Sequence, residues 1–132
     1  MSNNKWLIKA DPESDFNWNT IKTNTQSKTL KSGLAQKFLK LSKSEDEVFI
    51  YHTGKEKQIV GIGEISKSPY RDKDNKFFVI NITKKESFNH PVTLQKIRSE
   101  SLFMDWYLVK MSRLSFMPVS DAVWNKIKKM SK

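Results

Sequence analysis

Cysteine is absent from the 132 residues of this chain. That absence excludes disulfides, thiolate metal sites and a cysteine nucleophile, and it fits a reducing compartment. Histidine occurs only at His52 and His90, a separation that matches no zinc-ligand spacing. Glycine and proline number four each, and no flexible linker, internal repeat or phosphate-cradling glycine loop appears. No G-x-S-x-G nucleophile motif occurs. Apolar runs long enough to span a bilayer are also missing, and Met1-Ser2-Asn3-Asn4-Lys5 lacks the apolar stretch of a secretory signal. The expectation is a soluble cytoplasmic protein without metal or cofactor, and not an enzyme. Arginine is scarce too. Of 24 basic residues only Arg71, Arg98 and Arg113 are arginine, which leaves few of the planar forks that read base edges.

What the chain does have is lysine and aromatics. The net charge is +10, a field that draws polyanions or else a solvated basic surface. Eight Phe, four Trp and three Tyr supply a core with aromatic surface to spare. The length fits a single domain over residues 1–132.

The patterning is mixed. Lys5 to Ala10 reads as a strand stopped by Asp11-Pro12, since proline lacks the N–H a central strand needs. Asp15 to Ile21 reads as a short helical turn and Thr23 to Ser32 as a polar loop. Gly33 to Ser42 reads as a helix with Leu34, Phe38 and Leu41 on one stripe. Glu47–His52 and Gln58–Ile65 flank a polar turn and predict a hairpin. Gly61 and Gly63 share one face of it, which marks a close approach or a bend. Ser68 to Asn75 reads as a loop and Phe77–Ile82 as a covered strand. Thr93 and Ser120 are expected to cap helices over 94–97 and 121–129, with Val92/Ile97 and Val119/Trp124 as hydrophobic staples. A helical turn over Leu102–Trp106 and a strand over Leu114–Met117 complete the pattern. Strands without strict alternation with helices predict an α+β domain around a small curved sheet or barrel.

The chemistry-bearing residues each admit two readings. Tyr51-His52-Thr53 ends a strand, with Tyr51 and Thr53 on one face and His52 on the other. They offer a flat wall and polar groups for a ring, or a core tyrosine and a surface imidazole. Lys9 and Asp11 share a face, and either bracket a ligand or form an ion pair. Arg113 suits bidentate contact with phosphate or a base edge, or a salt bridge to a carboxylate such as Asp11. Among the tryptophans, Trp124 belongs to a helix stripe and the core. Trp6 and Trp18 flank the opening strand and are candidates for a pocket rim.

Four blocks resemble the EVE domain family. They are Trp6-Leu7-Ile8-Lys9-Ala10-Asp11-Pro12, Val48 to Gly54 with Glu56-Lys57 and Ile59 to Glu64 behind it, Pro91 to Leu94 with Ile97, and Ser112 to Val119 followed by Trp124 and Ile127. They stand in the family's order along the whole chain. The resemblance implies a PUA-like small curved β-barrel flanked by short helices, and a pocket for a flipped or single nucleobase, associated with modified cytosine in DNA and with RNA in related folds. It favours the pocket reading of Tyr51 and Thr53, and less so of His52; Lys9, Asp11, Ser112, Arg113 and Ser115 are the further candidates for ligand contact. Lys31 stands where the family has arginine in a W-x-G-V-R-N segment, whose Trp, Gly and Asn are missing here. Ala10, Asp11 and Met111 replace a serine, a glutamate and a glutamine. The expected function is a nucleic-acid or nucleobase-binding domain. The alternatives are a nucleoside-like small-molecule pocket, a protein-interaction module and a hydrolase acting on nucleic acid.

Overall fold

The computed structural model describes residues 4–14, 16–20, 24–26 and 30–132. The elements run β1 (Lys5–Ala10), β2 (Asn24–Gln26), α1 (Gly33–Leu41), β3 (Glu47–His52), β4 (Gln58–Arg71), β5 (Phe78–Thr93), α2 (Leu94–Arg98), a 3-10 turn (Ser101–Phe103), α3 (Tyr107–Lys110), β6 (Phe116–Pro118) and α4 (Asp121–Met130).

β1 and β3 hold the apolar runs Trp6-Leu7-Ile8 and Val48-Phe49-Ile50-Tyr51, all buried. Continuous rather than alternating burial is the mark of a strand covered on both faces. The two pair in parallel, Lys5 with Glu47 through Ala10 with His52, and sit inside a six-stranded mixed sheet of order β2-β5-β4-β3-β1-β6. The α+β class holds. The sheet, however, does not close into the expected barrel, because its end strands β2 and β6 are not paired with each other. Both are only three residues long. α1 packs against β5 and β6 instead. From it Gln36 donates to Leu30 O and Phe78 O at 2.6 and 3.0 Å and accepts from Phe78 N at 2.8 Å, so its amide continues the hydrogen bonding of β5.

Other expectations shift. β2 lies where Thr23 to Ser32 reads as a loop; residues 27–29 of that segment, like Asp15 and Ile21, fall outside the described residues. α1 buries Ala35 and Leu39, with Leu34 and Phe38 half-buried and Leu41 60% exposed. The stripe is therefore rotated by about one residue. β4 and β5 extend through the expected loop to a turn over 72–77, and β5 continues to Thr93. The later part of each strand, from Ser66 in β4 and from Lys84 in β5, is mostly polar and exposed, apart from the buried Phe88 and Val92. Main-chain pairing holds them, not apolar alternation. β6 takes in Pro118, tolerable at an edge.

The caps fall as expected. Thr93 accepts from Lys96 N and Ser120 from Val123 N at the starts of α2 and α4. α4 lays Trp124 flat on Phe49, ring centroids 3.8 Å apart, in the core that also holds Trp18, Phe103 and Phe116.

Candidate functional site

Parallel strands end at the same level. Ala10 and His52 stand side by side at the carboxyl ends of β1 and β3, and Thr53 N donates to Ala10 O at 3.0 Å. The segments leaving these ends, Asp11-Pro12 and Thr53 to Lys57, form a ridge with a recess on each side. Thr53 and Gly54 line both. Gly54 sits at φ +73°, and a Cβ there would meet no atom within 4 Å, so the ridge is low and open.

The smaller recess, about 210 Å³, is walled by Lys9, Tyr51, Lys57, Arg98 and Ser112 over the apolar Leu94 and Leu108. Lys9 Nζ donates to Ser112 O at 2.6 Å and stands 5.7 Å from the centre of the Tyr51 ring. Burial holds the Lys9 ammonium below the usual lysine range. Burial likewise raises the Tyr51 phenol above its usual range, against the opposing pull of the Arg98 guanidinium. Among the described residues, no carboxylate lies within ion-pair distance of Lys9, Lys57 or Arg98.

The larger recess, about 410 Å³, is lined by Asp11, Pro12, Glu13, Asn17, Lys55 and Glu56. Asp11 Oδ1 accepts from Glu13 N at 2.8 Å and Ser14 N at 3.3 Å, which fixes the turn after β1. Behind Glu56 lies His52, fully buried. Its Nε2 accepts from Trp18 N at 3.0 Å, so the ring proton sits on Nδ1 and is donated to Glu56 Oε1 at 2.9 Å. Lys84 Nζ donates to Trp18 O at 2.7 Å. The Trp18 indole lies over Gly61 and Gly63, where a methyl group at 61 would collide with the indole and come within 2.5 Å of Glu86 O. The glycine pair thus makes room for the protein's own tryptophan.

The fold brings Lys9, Tyr51, Thr53 and Ser112 together, and places Asp11 across the ridge. His52 is a buried brace and not a surface imidazole. Trp6 and Trp18 are buried and form no rim. Trp6 stacks on Phe116 and donates from Nε1 to the buried Asp46 at 2.9 Å, and Trp18 fills the glycine cradle. Lys31 lies over the Phe77 ring, 5.9 Å from its centre, near the distal turn of β4 and β5. Arg113 is exposed and lines neither recess. Ser115 serves through its backbone, accepting from Lys9 N at 2.9 Å. Arg98 is not among the expected site residues, and Glu56 and Lys57 stand in the second family-like block without an expected site role. The signal for Arg98 was the capped helix after Thr93. The Gln58–Thr93 pairing, with Leu94 N donating to Lys57 O at 2.9 Å, carries that helix to the ridge. Among the described residues, no three His, Asp or Glu side chains are grouped to hold a metal ion. No helix of the described residues is long and apolar enough to cross a membrane.

An open mixed sheet with paired polar recesses beyond its parallel central strands defines a small α+β domain whose cleft lies at strand ends. The EVE domain profile matches residues 4–130, and the chain belongs to that family. Rpa0253 from Rhodopseudomonas palustris has a solved structure similar to this chain at 28% identity and a TM-score of 0.85, over 97% of this chain and 92% of that one. PSPTO5229 from Pseudomonas syringae is similar at 25% identity and a TM-score of 0.88, over 97% and 99%. Human THYN1, solved in complex with DNA containing 5-methylcytosine, superposes with a TM-score of 0.86 at 19% identity, over 98% of both chains. No curated protein sequence matches the chain.

Proposed function

We propose that this domain binds nucleic acid and accepts one nucleotide, with a modified base as the preferred guest, at the ridge formed by Thr53 and Gly54. The observation that carries this reading is the pairing of opposite linings across one low ridge. Three cations and no carboxylate line one side; three carboxylates, an amide and a single lysine, Lys55, line the other. A nucleotide has the matching polarity, an anionic backbone joined to a ring that carries hydrogen-bond donors and acceptors. The larger recess falls within the range of small-molecule pockets, roughly 300–1,000 Å³, and carboxylates there would accept from an exocyclic amine such as that of cytosine. Membership of the EVE family and the methylcytosine DNA held by THYN1 support the same reading. The net charge of +10 supplies a sequence-blind attraction that raises encounter rates. The activity is binding without turnover.

Fluorescence anisotropy with labelled DNA and RNA oligonucleotides, each with cytosine or 5-methylcytosine, tests this at two salt concentrations. Affinity is expected to fall steeply with salt as condensed counterions are released, and to differ between the modified and plain strands. Absence of binding to every oligonucleotide at low salt overturns the reading. A salt-insensitive affinity for free nucleoside alone would support the small-molecule alternative.

A further inference from the structure

We infer that the smaller recess is a receptor for a phosphomonoester, and so recognises a nucleotide that ends in phosphate in preference to the phosphodiester of a continuous strand. The inference rests on the nucleotide reading above and names the part of the ligand that the cationic side takes.

At about 210 Å³ the recess is smaller than the roughly 300 Å³ at which pockets for drug-sized ligands begin. It suits a compact group. Its lining includes the cations Lys9, Lys57 and Arg98 and the hydroxyl-bearing residues Tyr51, Thr53 and Ser112. None of the three cations is neutralised by a carboxylate among the described residues. Lys9 is also held in place, since one ammonium proton is committed to Ser112 O at 2.6 Å while the rest of the group stands over Tyr51. Lys9 is half-buried and carries its charge there without a carboxylate partner among the described residues, while Lys57 and Arg98 are exposed; an anion seated among the three relieves the cost of the buried charge. The form of the anion follows from counting. A phosphodiester carries one charge and presents two free oxygens. A phosphomonoester carries about −1.5 to −2 charges at neutral pH and presents three acceptor oxygens. Only the monoester matches three cations and three hydroxyls. The apolar floor of Leu94 and Leu108 offers no polar partner to a sugar or base that goes deeper.

The test compares one oligonucleotide in three forms, with a 5′-phosphate, with a 3′-phosphate and with hydroxyls at both ends, alongside a free nucleoside monophosphate and its nucleoside. A phosphorylated form is expected to bind roughly tenfold to a hundredfold tighter than the hydroxyl form, the worth of one or two charge-assisted hydrogen bonds. In Arg98→Gln and Lys57→Gln that preference falls to near unity, while the hydroxyl-ended strand loses much less. Thermal melts of both variants, unchanged within a few degrees, verify the fold. Strands that bind equally well whatever their ends overturn the phosphomonoester assignment and leave nucleic-acid binding standing. Monophosphate bound over nucleoside with no strand bound supports the assignment and overturns nucleic-acid binding instead. Failure of every phosphorylated ligand overturns both.

Discussion

Asp46 is a fully buried carboxylate whose Oδ2 accepts from Trp6 Nε1 at 2.9 Å and from Lys43 N at 3.0 Å. It fastens β1 to the turn before β3. Truncation to alanine leaves the buried Trp6 indole N–H and the half-buried Lys43 N–H without an acceptor, so Asp46→Ala is expected to lower stability by about 1–3 kcal/mol, measured by urea denaturation. Asp46→Asn keeps an acceptor oxygen and is expected to lose less than half as much. Lys57 carries a second local cost. It sits at φ +47°, a left-handed conformation that disfavours a side chain by about 1 kcal/mol. Lys57→Gly is expected to raise the melting temperature by a few degrees and to weaken oligonucleotide binding. Oligonucleotide binding left unchanged in Lys57→Gly would contradict the role given to its ammonium. A sequence shows neither feature. Asp46 stands in the acidic run Glu45-Asp46-Glu47, which looks like any solvated turn, and the φ of Lys57 follows from how the hairpin closes.

At the scale of elements, the long β4–β5 pair decides what goes where. Gly61 and Gly63 give up their side chains to the Trp18 indole, whose backbone is tied by His52 and Lys84. Gly61→Ala is expected to cost about 2–3 kcal/mol through overpacking, read as a lowered denaturation midpoint, because both the indole and the Glu86 carbonyl stand in the way. The glycine pattern thus announced a close approach in the sequence, but not what approaches. Caps and apolar strands were legible for the same reason: Thr93 and Ser120 bond within their own first turns, and Val48-Phe49-Ile50 satisfies its environment locally. The extensions of β4 beyond Ile65 and of β5 beyond Ile82 were not legible. Lys84-Lys85-Glu86 in mid-strand carries no apolar period, and only the partner strand defines it. The site was split along the same line. Lys9, Tyr51, Thr53 and Ser112 lie in recognisable blocks, whereas Arg98 reaches them only through the register of a 16-residue strand.

For the whole molecule, charge and pH are the levers. Lys9 has its ammonium held below the usual lysine range by burial, while Tyr51 is shifted upward and stays neutral longer. Binding of an anion needs Lys9 charged. Affinity for a phosphorylated oligonucleotide is therefore expected to fall, on the alkaline side, as pH rises through the lowered Lys9 value, before ordinary surface lysines begin to titrate near 10.5. In Lys9→Arg, whose guanidinium keeps its proton, the fall moves to higher pH. An unchanged profile would remove Lys9 from the ligand's surroundings. The salt response reports instead on the diffuse field of a +10 chain, so the two titrations separate the pocket from the surface.

The parallel alignment of β1 and β3 has a consequence for how such a protein changes over time. In the larger recess the groups facing a guest are borne largely by what leaves the two strands, Asp11-Pro12 and Thr53 to Glu56, whereas the smaller recess also draws on the strands through Lys9 and Tyr51. Ligand preference can then drift by substitution in short exposed connections, with no repacking beneath them. Exchanging these two connections for those of another family member should transplant its preference while leaving the melting temperature nearly where it was.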